Sequence, residues 1–179
     1  MNAAHKLLRE ATAPHHARVD AAFGAYNLSN PIEYTRFLRA QAGAYIAVET
    51  ALDQSGVGAL VEDWPKRRRA DALVADLNAL GSDIPPPLPS PPLDSEAALW
   101  GALYVLEGSR LGGKTLAPTV APGAPRQFLD HQPERGAWRK LLDRLDQCLI
   151  NDEDRRVATS TAQTVFDMFE ASARAVKKV

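Results

Sequence analysis

Cysteine is almost missing: Cys148 is the only one in the chain. A single thiol excludes an internal disulfide and any cysteine-built metal cluster, which makes a cytoplasmic location the default expectation. Long apolar runs are missing as well. The longest mainly apolar stretch, Ala97–Leu106, is too short to cross a bilayer, and the polar, charged Met1–Leu8 does not read as a secretory leader. Nor is there an excess of one charge, since 21 basic and 22 acidic residues leave a formal net charge of −1. No clustered basic face of the kind nucleic acid requires is visible. Membrane and nucleic acid are therefore not expected partners. Strand-type alternation is almost absent, which argues against a sheet fold.

Helical spacing fills the chain instead. Its 179 residues, 45% of them hydrophobic, suit a single domain, 1–179, with one core. Leu8, Ala11, Thr12, Val19 and Phe23 recur at three- and four-residue steps across Ala3–Phe23. Asn30 reads as an N-cap with Pro31 at the first helical position, opening a helix to about Ser55. Phe37, Ala44, Ile46, Val48 and Leu52 form its apolar side, and Gly56 and Gly58 end it. A third helix is expected from about Trp64 to Leu80. Its start holds the one basic run, Lys66–Arg69, which reads either as a solvated face or as a docking patch for an acidic electron donor.

The run from Pro85 to Pro92 reads as a stiff polyproline connector or as a ligand for an aromatic groove. Asp94 or Ser95 can cap the next helix, which carries Leu99–Leu106 into a glycine-rich stretch. Pro118, Pro122, Gly123 and Pro125 make the following segment irregular. Two more helices are expected, at about Arg135–Leu149 and Asp152–Val176. The expectation is an all-α, single-domain helical bundle.

Gly108–Thr115 matches the phosphate-loop pattern G-x-x-x-x-G-K-T at every fixed position. That chemistry needs a strand before the loop and a helix after it, so that backbone N–H groups converge on phosphate. Here a helical pattern precedes the segment and prolines follow it, so the match is accidental. Gly101, Gly108, Gly112 and Gly113 nonetheless need a reason, because each costs ~1 kcal/mol of helix stability relative to alanine. Close helix packing, fraying before the prolines, and a backbone that approaches a flat ligand are all open readings.

Four histidines are present: His5, His15, His16 and His131. No Glu-x-x-His motif of a di-iron bundle occurs. Asp20 follows His16 by one helical turn, and a carboxylate there can fix the tautomer of a metal-ligating imidazole. Periodicity alone favours His15, which lies nearer the centre of the apolar stripe.

Two segments resemble the heme oxygenase family, especially its bacterial branch. The first is Leu8–Asp20, in which the Ala11-Thr12 pair precedes a histidine that is followed by an acidic residue four positions on. The second is Leu103–Gly113, whose Tyr-Val-x-Glu-Gly-Ser-x-Leu-Gly-Gly pattern looks like the family's distal helix. The resemblance covers nearly the whole chain and implies the heme oxygenase type of helical bundle.

By position, the resemblance makes His16 the iron ligand and Asp20 its partner, with His15 at a position that is usually apolar. Gly108, Ser109, Gly112 and Gly113 would form the distal wall, with Ser109, Gly108 and Gly112 nearest the chemistry. Glu107 is adjacent in sequence but should point away on a helix, so it receives no role. Arg9 matches a basic position that meets a heme propionate, and Arg139 is a second candidate for that role. Phe166, with Phe169, would pack on the porphyrin edge. Ser109 stands where animal members of the family carry an aspartate, as in bacterial relatives. The implied activity is oxidative cleavage of heme to biliverdin, carbon monoxide and ferrous iron, with heme as both cofactor and substrate. A non-catalytic heme carrier or sensor is the alternative. No flavin or nicotinamide motif is present, so a ferredoxin or reductase would supply the electrons.

Overall fold

Asn30 caps α2 (Pro31–Gln54) by accepting from the N–H groups of Ile32 and Glu33, and Pro31 fills the position where an N–H has no helical partner. α1 (Ala3–Phe23) precedes it and buries Ala4, Leu8, Thr12 and Phe23 along one stripe. The computed structural model describes residues 3–131 and 134–177. Positions 1, 2, 132, 133, 178 and 179 of the expected unit 1–179 lie outside the described residues. A 3₁₀ turn (Val57–Ala59), α3 (Trp64–Arg67) and α4 (Ala70–Ala79) follow α2. α5 (Glu96–Leu116) runs into a second 3₁₀ turn (Ala117–Thr119), and α6 (Gln127–Asp130), α7 (Ala137–Cys148) and α8 (Asp152–Lys177) complete the order. No strand occurs among the described residues.

α8 is the central beam, packing most extensively against α1, α5 and α2. The buried cluster on it includes Leu8, Phe37, Leu52, Trp100, Leu103, Leu145, Val165 and Phe169. α5 crosses α8 closely at Gly101, where a Cβ would stand 2.2 Å from the Ala158 carbonyl oxygen. Close helix packing is thus the reason for that glycine. Ser95 is the residue that caps α5, its Oγ accepting from the Ala98 N–H at 3.2 Å. α5 continues unbroken through all four glycines to Leu116, so they do not mark fraying. The phosphate-loop match therefore lies inside a helix, where its N–H groups are spent on helical bonds.

The expected helix from Trp64 to Leu80 is two helices. Arg68 is extended (φ −62°, ψ 138°), which ends α3. The buried Glu49 of α2 then accepts from the N–H groups of Arg69 and Ala70 at 2.8 and 3.0 Å and so caps α4. The basic run is consequently no surface patch. Arg67 and Arg69 are 5% and 2% exposed, while Lys66 pairs with Glu134 and Arg68 with Asp53 and Glu49. Arg67 turns into the core from the last residue of α3, and Arg69 turns in from the non-helical residue before α4. Between α4 and α5 the proline segment is an extended strap, tied by the Leu88 N–H to the Gly43 carbonyl at 2.8 Å.

Candidate functional site

His16 sits on α1 with its Nδ1 2.9 Å from Asp20 Oδ2, one turn on. Its ring meets Phe166 of α8 edge-on, with centroids 5.6 Å apart. Phe166 is buried, whereas the His16 side chain is 59% exposed. The arrangement turns Nδ1 toward a carboxylate and leaves Nε2 for a ligand outside the fold. His15 behaves differently. Its side chain is 20% exposed, and its Nδ1 lies 2.8 Å from Asp167 of α8. Periodicity favours His15 because that residue faces the neighbouring helix; the more exposed imidazole is that of His16 beside it.

Thr12 of the Ala11-Thr12 pair is buried and donates to the Leu8 carbonyl at 2.7 Å. It also meets the Tyr104 hydroxyl, which burial pushes above its usual range. Tyr104 in turn packs with His5 and Trp138, at ring centroids of 6.1 and 5.8 Å. This aromatic cluster joins α1, α5 and α7 at the level of Gly108, whose Cβ would touch the Trp138 ring at 3.6 Å. Arg9 acts electrostatically on both His5 and Tyr104, which places it at the same edge. Arg139 follows Trp138 and is exposed.

The glycines of α5 divide by surroundings. A Cβ on Gly112 would meet nothing within 4 Å, whereas one on Gly113 would touch Leu129 at 3.5 Å. Gly113 belongs to the packed face toward α6. Gly108 and Gly112, one turn apart, share another face, and at Gly112 no protein atom accounts for the missing side chain.

Ser109 turns to a third side. Its hydroxyl donates to the Leu106 carbonyl at 2.7 Å and accepts from Arg69 at 2.7 Å. The Arg69 guanidinium also reaches the Leu106 carbonyl at 3.2 Å and the Tyr45 hydroxyl at 3.0 Å. It lies between the Tyr45 and Phe128 rings, 4.8 and 4.7 Å from their centroids. Beside it, Glu107 bridges Arg67 at 2.7 Å and Arg110 at 2.9 Å. Arg110 donates further to the Arg67 carbonyl and to His131 Nδ1. Burial, then the charges of Arg110 and Arg69, lower the His131 pKa below its ordinary value, which keeps the ring an acceptor. Burial likewise raises Glu49 above the usual carboxylate range.

Sequence reasoning does not find this charged core beneath α5. The available signal is Glu49 and Glu107 standing within the apolar faces of α2 and α5, each needing a cation. Glu107 does point away from the glycine face, and what it points into is a buried cluster of arginines.

The histidine site and the glycine face are both built on helices that lean on α8. A concavity of 640 Å³ lies elsewhere, along Pro118–Ala124, Arg126, Gln127 and Asp130, and includes none of the residues above. Among the described residues, no three His, Cys, Asp or Glu side chains are grouped to hold a metal ion, and no helix is long and apolar enough to cross a membrane.

No protein-family profile matches the sequence. A curated relative, the heme oxygenase of Xanthomonas campestris pv. campestris (strain 8004), is 34% identical over 144 residues, spanning 76% of this chain and 86% of that protein. Among solved structures, the NO- and CO-bound heme oxygenase from Neisseria meningitidis aligns with a TM-score of 0.83 at 21% identity, covering 100% of this chain and 94% of that one. Heme oxygenase from Leptospira interrogans aligns with a TM-score of 0.74 at 20% identity, covering 98% and 100%. The structural likenesses establish the fold, and the sequence relative, aligned over most of both chains, establishes descent: this chain belongs to the heme oxygenase family.

Proposed function

We propose that this protein cleaves heme to biliverdin, carbon monoxide and ferrous iron, with His16 as the iron ligand. The observation that carries the reading is the open imidazole of His16 with Asp20 at its Nδ1, 2.9 Å away. The residues present fit the group. A flat ligand needs an unblocked nitrogen on one side and backbone without side chains on the other, and Gly112 offers bare helix with nothing within 4 Å of its missing Cβ. When bound, heme supplies both the iron that activates O2 and the ring that is opened.

The chain's own contribution is positional and electrostatic. Asp20 stands beside Nδ1, so the ring presents Nε2 as the nitrogen open to the iron. Gly108 and Gly112 let the α5 backbone come close where any side chain would stand in the way. Phe166 walls the histidine side, and Arg9 and Arg139 are the cations proposed to meet the propionates. Ser109 is held by Arg69 from below, so the buried charge fixes the hydroxyl and the α5 backbone around it. Electrons come from outside the chain, from a ferredoxin or a reductase. With a lone cysteine, the reducing cytoplasm is the compartment we propose.

The test is hemin titration of the purified protein, followed by O2 and a reductant. A Soret band that His16→Ala removes, and a product with the absorption of biliverdin, are expected. A stable ferric complex that never yields biliverdin under turnover conditions would make the protein a heme carrier instead.

A further inference from the structure

Adjacent residues of a helix point about 100° apart, as the 3.6-residue repeat requires, so His15 and His16 cannot both face one ligand. Pro14 immediately precedes them inside α1 and leaves the Glu10 carbonyl without its helical donor, which loosens the helix there. The links between α1 and α8 bracket that weak point. Before it, Gln163 Nε2 donates to the Ala11 carbonyl at 3.0 Å. After it, Arg18 donates to Asp167 at 2.7 Å and to Glu170 at 2.9 Å. His15 Nδ1 stands between these partners, 2.8 Å from Asp167 and 2.9 Å from Arg18. A ring nitrogen donates or accepts but does not do both, so in either tautomer one of the two partners keeps the His15 ring turned to α8.

We infer that Arg18 and Asp167 withhold His15 from the heme iron and set the rotation of α1 that presents His16. The inference rests on His16 as the ligand proposed above. Single ion pairs at such exposure contribute little to stability. Here the cluster joins two helices through four side chains, His15 and Arg18 on α1 with Asp167 and Glu170 on α8, and its effect is on orientation. Asp167 and Arg18 are thus positioning residues, and they act through the choice between two adjacent imidazoles.

The experiment is resonance Raman spectroscopy of the ferrous heme complex, read at the iron–histidine stretching band, with far-UV circular dichroism confirming each fold. His15→Ala should keep the band and His16→Ala should lose it. Loss with His15→Ala and retention with His16→Ala would overturn the choice of ligand itself. With the choice upheld, the band should return when Arg18→Ala and Asp167→Ala are added together to His16→Ala, because His15 then loses both partners. It should vanish again on adding His15→Ala. Arg18→Ala alone and Asp167→Ala alone, each in the His16→Ala background, should restore less of the band than the pair does, because the remaining partner still holds the ring. A band still absent from the variant that lacks both Arg18 and Asp167, with the fold intact, would overturn the inference.

Discussion

Arg69 donates to the Ser109 hydroxyl at 2.7 Å from a position 2% exposed beneath α5. The guanidinium is met by a carbonyl, two hydroxyls and two ring faces, and the Arg69 backbone N–H donates to Glu49. Arg69→Met strands those acceptors and leaves the buried Glu49 less compensated. It should cost about 3 kcal/mol, a fall in Tm on the order of 10 °C. Ser109→Ala removes one acceptor and should cost about 1 kcal/mol. Thermal unfolding of the two ligand-free variants checks the order, and equal costs would contradict the arrangement.

Gly101 and Gly112 should respond to alanine in opposite directions. At Gly101 the added methyl meets the Ala158 carbonyl oxygen at 2.2 Å, so α5 and α8 must part, at about 3 kcal/mol or more. At Gly112 the methyl enters open space, and the ligand-free protein should gain up to about 1 kcal/mol from helix propensity. The same Gly112→Ala variant should bind hemin on the order of tenfold more weakly, a loss near 1.4 kcal/mol. Denaturant unfolding and hemin titration on one preparation separate the two effects.

Asp20 is 67% exposed, so Asp20→Asn should move fold stability by less than about 0.5 kcal/mol. Its effect belongs to the ligand. Losing the carboxylate beside Nδ1 should weaken hemin binding by roughly 10–100-fold, measured by competition with a second heme-binding protein.

His131 gives stability an acid dependence. Its folded pKa lies below the ordinary value of 6.5, so between those two values the unfolded chain binds more protons. Stability should therefore be full above about pH 6.5 and fall as the pH drops through the lower, folded value. Denaturant midpoints at pH 7.5 and pH 5.5 measure the slope. His131→Gln, which still offers Arg110 an acceptor, should flatten it; a slope unaltered by that substitution would assign the effect to other groups.

Helices with local punctuation are legible in the amino-acid sequence itself. Asn30-Pro31 marks one end of α2, Ser95 opens α5, and the apolar stripe of α1 ends at Phe23. The α3–α4 break is not legible, because its cause is Glu49, twenty residues upstream and on another helix. Arg67 and Arg69 mislead for the same reason. Charges read as surface unless their buried partners are known, and Glu107 lies forty residues away. At the candidate site, the approach of His16 to Asp20 is readable from their spacing, while the preference for His16 over His15 comes from the family pattern alone. The division among the glycines is not, since Gly101, Gly112 and Gly113 are alike in sequence and differ only in what stands opposite them.

The strap between α4 and α5 has a consequence for the unfolded chain. Pro85, Leu88 and Pro91 are half-buried, while Pro86, Pro89 and Pro92 are exposed, the three-residue step of a polyproline helix. Leu88 ties it to α2 through one backbone hydrogen bond and packs on the core, and the prolines add a contribution through the denatured ensemble, which they have already stiffened along this stretch. Each restricts the unfolded backbone by an amount equivalent to about 0.4–1 kcal/mol. A glycine–serine replacement of equal length that kept the Leu88 tether would leave the folded protein nearly unaltered and still lower its melting point, because the disordered competitor would have gained freedom.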